Sequence, residues 1–487
     1  MALGRRNQQT QGELWVATQV LPKSPGHVFY DKLNGLLLEA GFDAWIENLC
    51  QPYYAKAGRP GIPPGTYFRM LIIGYFEGIG SQRAIAWRCA DSLSLRAFLG
   101  MRRDEESPDH SSLTIIRGRL PLEVHNAVFT WILKLTQEKG LVVGGSAAVD
   151  STTIEANAAM KSIIRRDTGE DWRAYVTGLM RDAGEIGPEE TPTVEQVKRF
   201  DKARKGKKVS NEDWVSPADP DSRITKMKDG TTHLAYKAEH AVDLDTELIL
   251  AAEVYYGNEA DTATLEDTVQ VAQANLIESD SDQRIEDVVA DKGYHSAEVV
   301  TTFATETSYR TYIPEPKRPA DKVRVWTDKP PEQKPAVYAN RRRIRGERGR
   351  RLQRLRSEKV ERTFAHVCET GGARRTWICG IEEVNKRYVI SAMAHNLGCL
   401  MRALFGMGTP KGLQKGGESL ESLLCSFYLT LLAILRSLER FWPSRTKDGH
   451  PRRICPATAD TRPADTAVPK SAVFQQAAAP SEGQGYL

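Results

Sequence analysis

Near Gly140 the spacing of apolar residues changes from the pattern of helices to that of strands. From Pro22 to about Leu135, apolar residues recur every three or four positions, as in FYDKLNGLLLEAGF, which predicts helices. Beyond Gly140, short apolar segments predict strands, and two longer segments predict helices between them. The order is three strands, helix, strand, helix, strand. It predicts an α/β fold, a mixed sheet flanked by helices and preceded by an all-helical N-terminal domain.

The length predicts more than one domain. A chain of 487 residues is too long for one compact domain, so we expect two or three. The predicted parts are a flexible N-terminus (1–16), a helical domain (17–135), an α/β domain (140–402), a helical segment (403–442) and a disordered tail (443–487). Within the α/β domain we expect a polar insertion at about 160–229 and a basic linker at about 314–357.

Composition and motifs exclude several protein classes. Hydrophobic residues at 40% and charged residues at 27% are typical of an ordinary globular protein. Seven cysteines without a CxxC pair argue for a reducing compartment and against structural zinc. The sequence has no run of about 18–20 apolar residues and no apolar signal segment in MALGRRNQQTQGELW, so we expect a cytoplasmic protein without a membrane partner. It also lacks the GxxxxGK[ST], GxGxxG, HExxH and GxSxG motifs.

Positive charge is concentrated in one segment. The net charge is only +4, from 67 Lys and Arg against 63 Asp and Glu, and does not by itself indicate nucleic-acid binding. Between Arg341 and Arg356, however, RRRIRGERGRRLQRLR holds nine arginines and one glutamate. Such a run is usually a solvated face. Arginine also suits bidentate contact with phosphates, so this segment is a candidate DNA-binding surface.

The N-terminal helices leave two interpretations open. Ser81 is a suitable N-cap for a helix that follows a glycine-containing turn. A helix, such a turn and a second helix with exposed Arg83 and Arg88 are compatible with a helix-turn-helix. A plain helical bundle with surface arginines accounts for these residues equally well.

Two aspartates follow short apolar strands. Asp150 ends SAAVD, and Asp291 ends DVVAD. A single aspartate there is commonly a turn or cap residue. Two on one sheet, with a glutamate on a later helix, predict a carboxylate cluster, and clustered carboxylates repel one another unless cations are bound. Two Mg²⁺ or Mn²⁺ ions roughly 4 Å apart would suit phosphodiester displacement.

The glutamate is expected on the helix SEKVERTFAHVCE. Val360, Phe364 and Val367 form its apolar stripe. At about 100° per residue, Glu361 falls about 100° from Val360, whereas Glu358 falls about 160° away. If the stripe packs on the sheet, the geometry favours Glu361.

Four segments of this chain match a known family. They are AAVDSTTIEANAA, DPDSRITKMKDGTTHLAYKAEHAVDLDTELILAAEVYYGNEADT, ADKGYHS and RRRIRGERGRRLQRLRSEKVERTFAHVCETGGARRT. From about Leu21 to Arg402 the chain resembles bacterial insertion-sequence transposases of the DDE class with an InsH-like N-terminal domain. The resemblance implies a ribonuclease H-like core and the acidic triad Asp150, Asp291 and Glu361 as catalytic, metal-binding residues.

The resemblance also implies how DNA is used. The helical domain would bind double-stranded DNA, both the inverted-repeat ends and the target. A homodimer would pair the two ends, and the bacterial protein would associate with the nucleoid. In related transposases a Tyr, an Arg and a Lys flank the final Glu. Here the tyrosine position is Leu352 or Gln353, the arginine is Arg354 or Arg356, and the lysine position holds Cys368.

Further basic and polar residues have two interpretations each. Arg374 and Arg375 are candidates to supply the missing positive charge. Lys292 is either a phosphate contact or a solvated lysine. Asn258 and Asp261 either orient a metal-bound water or cap the following helix, and we favour the cap. Trp326 either stacks on an unpaired base or packs in the protein, and we favour packing.

The function expected from these features is metal-dependent hydrolysis at element ends followed by strand transfer. The alternatives are a metal-dependent nuclease that never joins strands, and an inactive relic that only binds DNA. The intact set of three acids argues against the relic.

Overall fold

The computed structural model describes residues 25–58, 61–102, 104–141, 145–205, 210–227, 230–316, 326 and 330–410. All of these belong to one compact unit. The expectations for 1–16, for 443–487 and for most of 403–442 concern residues outside the described ranges. No helix within those ranges is long and apolar enough to cross a bilayer.

The N-terminal part is all-helical, as predicted. Its helices are α1 (Pro25–Glu39), α2 (Phe42–Cys50), α3 (Pro64–Glu77), α4 (Gln82–Ala90), α5 (Leu93–Phe98), α6 (His110–Arg119) and α7 (Leu122–Glu138). Ser81 caps α4, because its hydroxyl accepts a hydrogen bond from the Ala84 N–H at 3.2 Å. Arg83 is exposed on α4, and Arg88 pairs with Glu77 at 3.4 Å. Both interpretations of α3 and α4 remain compatible with this geometry.

The α/β part contains a six-stranded sheet and a separate two-stranded one. Its strands are β1 (Ser146–Glu155), β2 (Ile164–Arg165), β3 (Trp214–Val215), β4 (Arg223–Lys226), β5 (Thr232–Asp243), β6 (Ile249–Tyr256), β7 (Asp287–Ala290) and β8 (Arg310–Tyr312). The main sheet has the order β4-β5-β1-β7-β8, and β6 shares the outer edge of β5 with β4. β5 is antiparallel to β1, whereas β7 and β8 are parallel to their neighbours. The predicted mixed sheet is confirmed.

The remaining helices cover both faces of the sheet. They are α8 (Trp172–Asp182), α9 (Val194–Ala203), α10 (Asp261–Glu278), α11 (Ala297–Glu306), α12 (Lys334–Arg345), α13 (Glu347–Phe364) and α14 (Ile381–Phe405). α10 packs on β6, β5 and β1, on the face that carries Glu239. α13 and α14 pack on the opposite face, where His240 stacks on Phe364 and hydrogen-bonds Tyr388.

β1 is longer than the sequence predicts. The apolar segment predicted a strand from Ser146 to Val149 that ends on Asp150, but β1 continues to Glu155. The polar extension pairs with β5 and, at Glu155, with the backbone around Arg375, whereas β7 pairs with β1 only over Ser146–Val149. Asp150 therefore lies within β1, at the point where the parallel neighbour ends.

The described parts of the predicted insertion and basic linker contain two α-helices each. In the insertion, α8 and α9 enclose their own small core of Val176, Met180, Ile186 and Val197. In the described part of the linker, the arginine run forms the end of α12 and much of α13, separated at Gly346. The arginines are therefore held on rigid helices that pack against the sheet.

Candidate active site

Asp150 and Asp291 occupy equivalent positions on neighbouring parallel strands. The parallel register pairs Val149 with Ala290, so Asp150 and Asp291 are the next residues on each strand. Asp291 is the N-cap of a 3₁₀ turn (Lys292–Tyr294), and its carboxylate accepts the Gly293 N–H. Both aspartates are partly exposed. The structure thus brings these two residues together at one edge of the sheet.

An arginine of α13 binds the first of these aspartates. Arg356 Nη1 lies 2.6 Å from Asp150 Oδ2, and the Ser151 N–H donates to Asp150 Oδ1 at 2.9 Å. The Arg356 side chain is only 12% exposed. Its guanidinium therefore lies between the helix and the sheet and does not project into solvent. The sequence placed Arg356 among the phosphate contacts. In this structure it neutralises Asp150.

The contacts of α13 indicate where Glu361 lies relative to the edge of the sheet that carries Asp150 and Asp291. Arg348 binds Asp287 at the start of β7, and Lys359 binds the Asp245 carbonyl in the β5–β6 hairpin, so these two side chains mark the opposite edge. At about 100° per residue, Glu361 lies about 140° from Arg348 and about 160° from Lys359 around the helix. Glu361 therefore lies on the flank of α13 away from that opposite edge.

The structure does not gather the three predicted acids into one cluster. Glu361 is exposed, and its carboxylate has no hydrogen-bond or ion-pair partner among the described residues. Within the described ranges, no three His, Cys, Asp or Glu side chains are placed to hold a metal ion. Glu358, the alternative, turns away and pairs with Arg362 at 2.7 Å.

The donor set nevertheless fits a hard divalent cation. Asp150 and Asp291 offer carboxylate oxygens at adjacent positions, and Mg²⁺ and Mn²⁺ prefer oxygen ligands. Asp150 already attracts the Arg356 guanidinium, which shows that the site favours positive charge. Glu361 is free of competing partners among the described residues. These three residues are therefore the candidate ligands.

The basic residues predicted to bind DNA fall into two groups. Lys292 and Arg354 are exposed and have no ion-pair partner among the described residues. Arg374 instead pairs with Glu369 and donates to Thr152 Oγ1 at 3.0 Å. Arg375 lies 3.7 Å from Glu155 and over the ring of an exposed tryptophan, Trp377, at 5.0 Å.

The arginine run divides in the same way. Four of its members are bound within the protein: Arg341 to Glu315, Arg343 to Thr311, Arg348 to Asp287 and Arg356 to Asp150. The other five are exposed on α12 and α13: Arg342, Arg345, Arg350, Arg351 and Arg354. We call these five exposed residues the arginine face.

A buried polar network lies under the site, on the α10 face of the sheet. Lys237 Nζ lies 2.8 Å from Asp261 Oδ1 and 3.2 Å from Glu239 Oε2. Ser151 donates to Asp261 at 3.1 Å, and Tyr294 donates to Glu239 at 2.9 Å. Burial raises the pKa of Glu239, and the Lys237 ammonium opposes part of that rise.

Sequence reasoning missed most of this network. The expected capping role of Asp261 is wrong, because Ala260 is the N-cap of α10 and the Asp261 carboxylate binds Lys237 and Ser151. The available signal was charge at alternate positions of an otherwise apolar strand, Lys237 and Glu239 in HLAYKAEHAVDL. The preference for packing at Trp326 is confirmed, since the indole packs with Val300, Ala336 and Val337.

Two family models match the chain. A model described as "Transposase domain (DUF772)" matches residues 20–119, which include α1 to α6. A model described as "Transposase DDE domain" matches residues 193–397, a range that contains Asp291 and Glu361 and begins after Asp150. No curated protein and no solved structure matches the chain. Proteins of this family cleave and transfer DNA, and their cores are ribonuclease H-like. The chain belongs to the insertion-sequence transposases of the DDE class.

Proposed function

We propose that this protein binds the inverted-repeat ends of an insertion sequence, hydrolyses a phosphodiester bond there, and transfers the freed 3′ end to target DNA. The observation that carries the proposal is the adjacent placement of Asp150 and Asp291 where β7 ends beside β1. Carboxylates side by side on a rigid sheet edge are suited to phosphodiester chemistry because they can hold divalent cations in a fixed position.

Asp150, Asp291 and Glu361 are the residues that would hold Mg²⁺ or Mn²⁺, and two ions are expected. When bound, these ions activate the attacking oxygen and neutralise the leaving one. The sheet positions the two aspartates, and Glu361 would join them from the exposed flank of α13. Arg356 holds Asp150 in place and balances its charge while the site is free of cations.

The arginine face and Lys292 are the proposed DNA-binding surface. Their side chains are exposed, and guanidinium groups make bidentate contacts with phosphates. Such contacts position DNA without reading its sequence. Recognition of the element ends is assigned to the N-terminal helices. Since two ends must be joined to one target, we propose that two copies of the chain act together.

The test is cleavage and strand transfer on paired element ends, with DNA binding measured in parallel. Asp150→Asn, Asp291→Asn and Glu361→Gln should each reduce cleavage to the level of a protein-free control while retaining DNA binding. Glu358→Gln is the matched control, because Glu358 lies on the same helix but pairs with Arg362.

Two outcomes contradict the proposal. Cleavage that survives in Asp150→Asn would show that the site is elsewhere. Hydrolysis without joining, even when both ends are bound, would identify a nuclease and not a transposase.

A further inference from the structure

The polar network beneath the site connects both aspartate segments to one buried lysine. Lys237 lies on β5 opposite Thr153 of β1, and Glu239 lies opposite Ser151. Since side chains alternate along a strand, these groups point to the α10 face, whereas Asp150 points to the α13 face. Lys237 and Glu239 therefore support the site from the face of the sheet opposite Asp150.

Lys237 is fully engaged within this network. Its side chain is 6% exposed, and Nζ contacts Asp261 Oδ1, Thr264 Oγ1 and Glu239 Oε2 at 2.8, 2.8 and 3.2 Å. An ammonium group has three donors, so these contacts use its whole capacity. Glu239 is completely buried. A buried carboxylate requires a compensating charge, and Lys237 supplies it.

One branch of the network runs from Lys237 through Asp261 to Ser151, the neighbour of Asp150, and passes close to Asp291. Ser151, which follows Asp150 in β1, donates to Asp261 Oδ1 at 3.1 Å. Asp261 Oδ2 and Asp291 Oδ1 lie 2.8 and 3.0 Å from the point where Gly293 would carry a Cβ. The two carboxylate oxygens are therefore no further apart than the sum of these two distances. Gly293 permits this approach because a side chain there would collide with both.

The second branch reaches the turn after Asp291 through Glu239. Tyr294 ends the 3₁₀ turn that Asp291 caps, and its hydroxyl donates to Glu239 Oε2 at 2.9 Å. Thr264 and Thr268 of α10 also donate to Glu239, at 2.9 and 2.7 Å. The Glu239 carboxylate, whose charge Lys237 neutralises, thereby connects the turn to α10.

We propose that Lys237 is a positioning residue, which fixes the relative placement of Asp150 and Asp291 through Asp261 and Glu239 without contacting DNA or metal. The inference rests on the proposed function, because it assigns these aspartates to the metal site. Groups that orient metal ligands from outside typically contribute about 10- to 100-fold to metal affinity or activity. Loss of Lys237 should therefore weaken cation binding by a factor in that range.

The test titrates the full-length protein with Mn²⁺ and follows its unfolding temperature. The quantity compared between variants is the Mn²⁺ concentration that gives half of the maximal rise. Cleavage is measured in parallel. Lys237→Met retains the length of the side chain and removes its charge. It should require about 10-fold or more Mn²⁺ and cleave correspondingly more slowly. Lys386→Met is the matched control. Lys386 is also buried, pairs with Glu382 and Glu383 at 2.8 Å, and lies on α14. Its Mn²⁺ response should equal that of the wild type.

A second variant separates positioning from folding. Lys237→Met combined with Glu239→Gln removes the buried uncompensated charge and should recover stability. The double variant still lacks the ion pair between Lys237 and Asp261, so its Mn²⁺ response should remain weakened. A wild-type Mn²⁺ response in this double variant, or in Lys237→Met itself, overturns the inference.

Failure of the proposed function gives a different result. If Mn²⁺ does not raise the unfolding temperature of the wild-type protein, or if Asp150→Asn leaves that rise unchanged, the assignment of the metal site fails. The inference then fails with it. If that response is present and only the Lys237 variants behave like the wild type, the inference alone is overturned.

Discussion

Arg354 and Arg356 are two residues apart on α13 and have different surroundings. Arg354 is exposed, whereas Arg356 is bound to Asp150 at 2.6 Å. From the sequence both were equal candidates for phosphate contact, because a run of arginines does not show which side chains face the sheet when the helix packs on it. The contacts favour phosphate binding by Arg354 and support of Asp150 by Arg356.

This difference predicts separable effects of two alanine variants. Arg354→Ala should weaken binding to all DNA sequences and reduce the slope of log affinity against log salt by about 1. Arg356→Ala should leave that slope unchanged and reduce cleavage by about 10-fold or more, because Asp150 loses its partner. Binding titrations at several salt concentrations check the first effect, and single-turnover cleavage checks the second. Identical salt slopes for Arg354→Ala and the wild type would refute the phosphate contact.

At the scale of elements, the sequence predicts what depends on local pattern. The apolar strands that precede Asp150 and Asp291 were evident, and their parallel pairing places the two aspartates together. The length of β1 was not evident, because its polar second half is a strand through pairing with distant segments, β5 and the backbone around Arg375. Lys237 and Glu239 were missed for a similar reason, since their partners come from α10 and from the turn after Asp291.

α13 illustrates the same limit for a helix. Its apolar stripe was read correctly, since Val360 and Phe364 are buried, as is Val367 in the π-helical turn Ala365–Thr370 that follows α13. The stripe placed Glu361 at one of its two margins. The sequence did not show which margin lies on the side of the aspartates. The contacts of Arg348 and Lys359 provide that direction, because they mark the opposite edge of the sheet. Glu361 therefore remains the predicted third acid, on the appropriate flank of the helix.

At the scale of the whole molecule, α14 connects the N-terminal helices to the sheet. It packs on α3 and α7 on one side and on β6 on the other. From Val384 to Met401 nearly every residue is buried, including Asn396, which exchanges hydrogen bonds with the backbone of Ile249. A helix buried on all sides has no amphipathic period, so sequence pattern does not reveal which elements it joins.

The buried histidine of α7 predicts how stability depends on pH. His125 contacts the Tyr67 hydroxyl and the Pro121 carbonyl, and burial lowers its pKa from 6.5 to about 4. The folded state therefore binds this proton more weakly than the unfolded state. The contribution of neutral His125 is complete above pH 6.5 and is lost as the pH falls towards 4. Its size is on the order of 3 kcal/mol.

The comparison of wild type with His125→Gln isolates this group. The free energy of unfolding of the wild type should fall more steeply between pH 6.5 and pH 4 than that of the variant. Chemical denaturation at a series of pH values measures both slopes. Equal slopes would contradict a neutral His125 in the folded protein.

The most direct test of the catalytic site is the anomalous scattering of Mn²⁺ in crystals of the protein with a pre-cleaved element end. We predict Mn²⁺ density in contact with the carboxylates of Asp150 and Asp291, with the Glu361 side chain turned from solvent to join them. Mn²⁺ bound elsewhere, or Glu361 still directed into solvent beside an occupied site, would contradict this account.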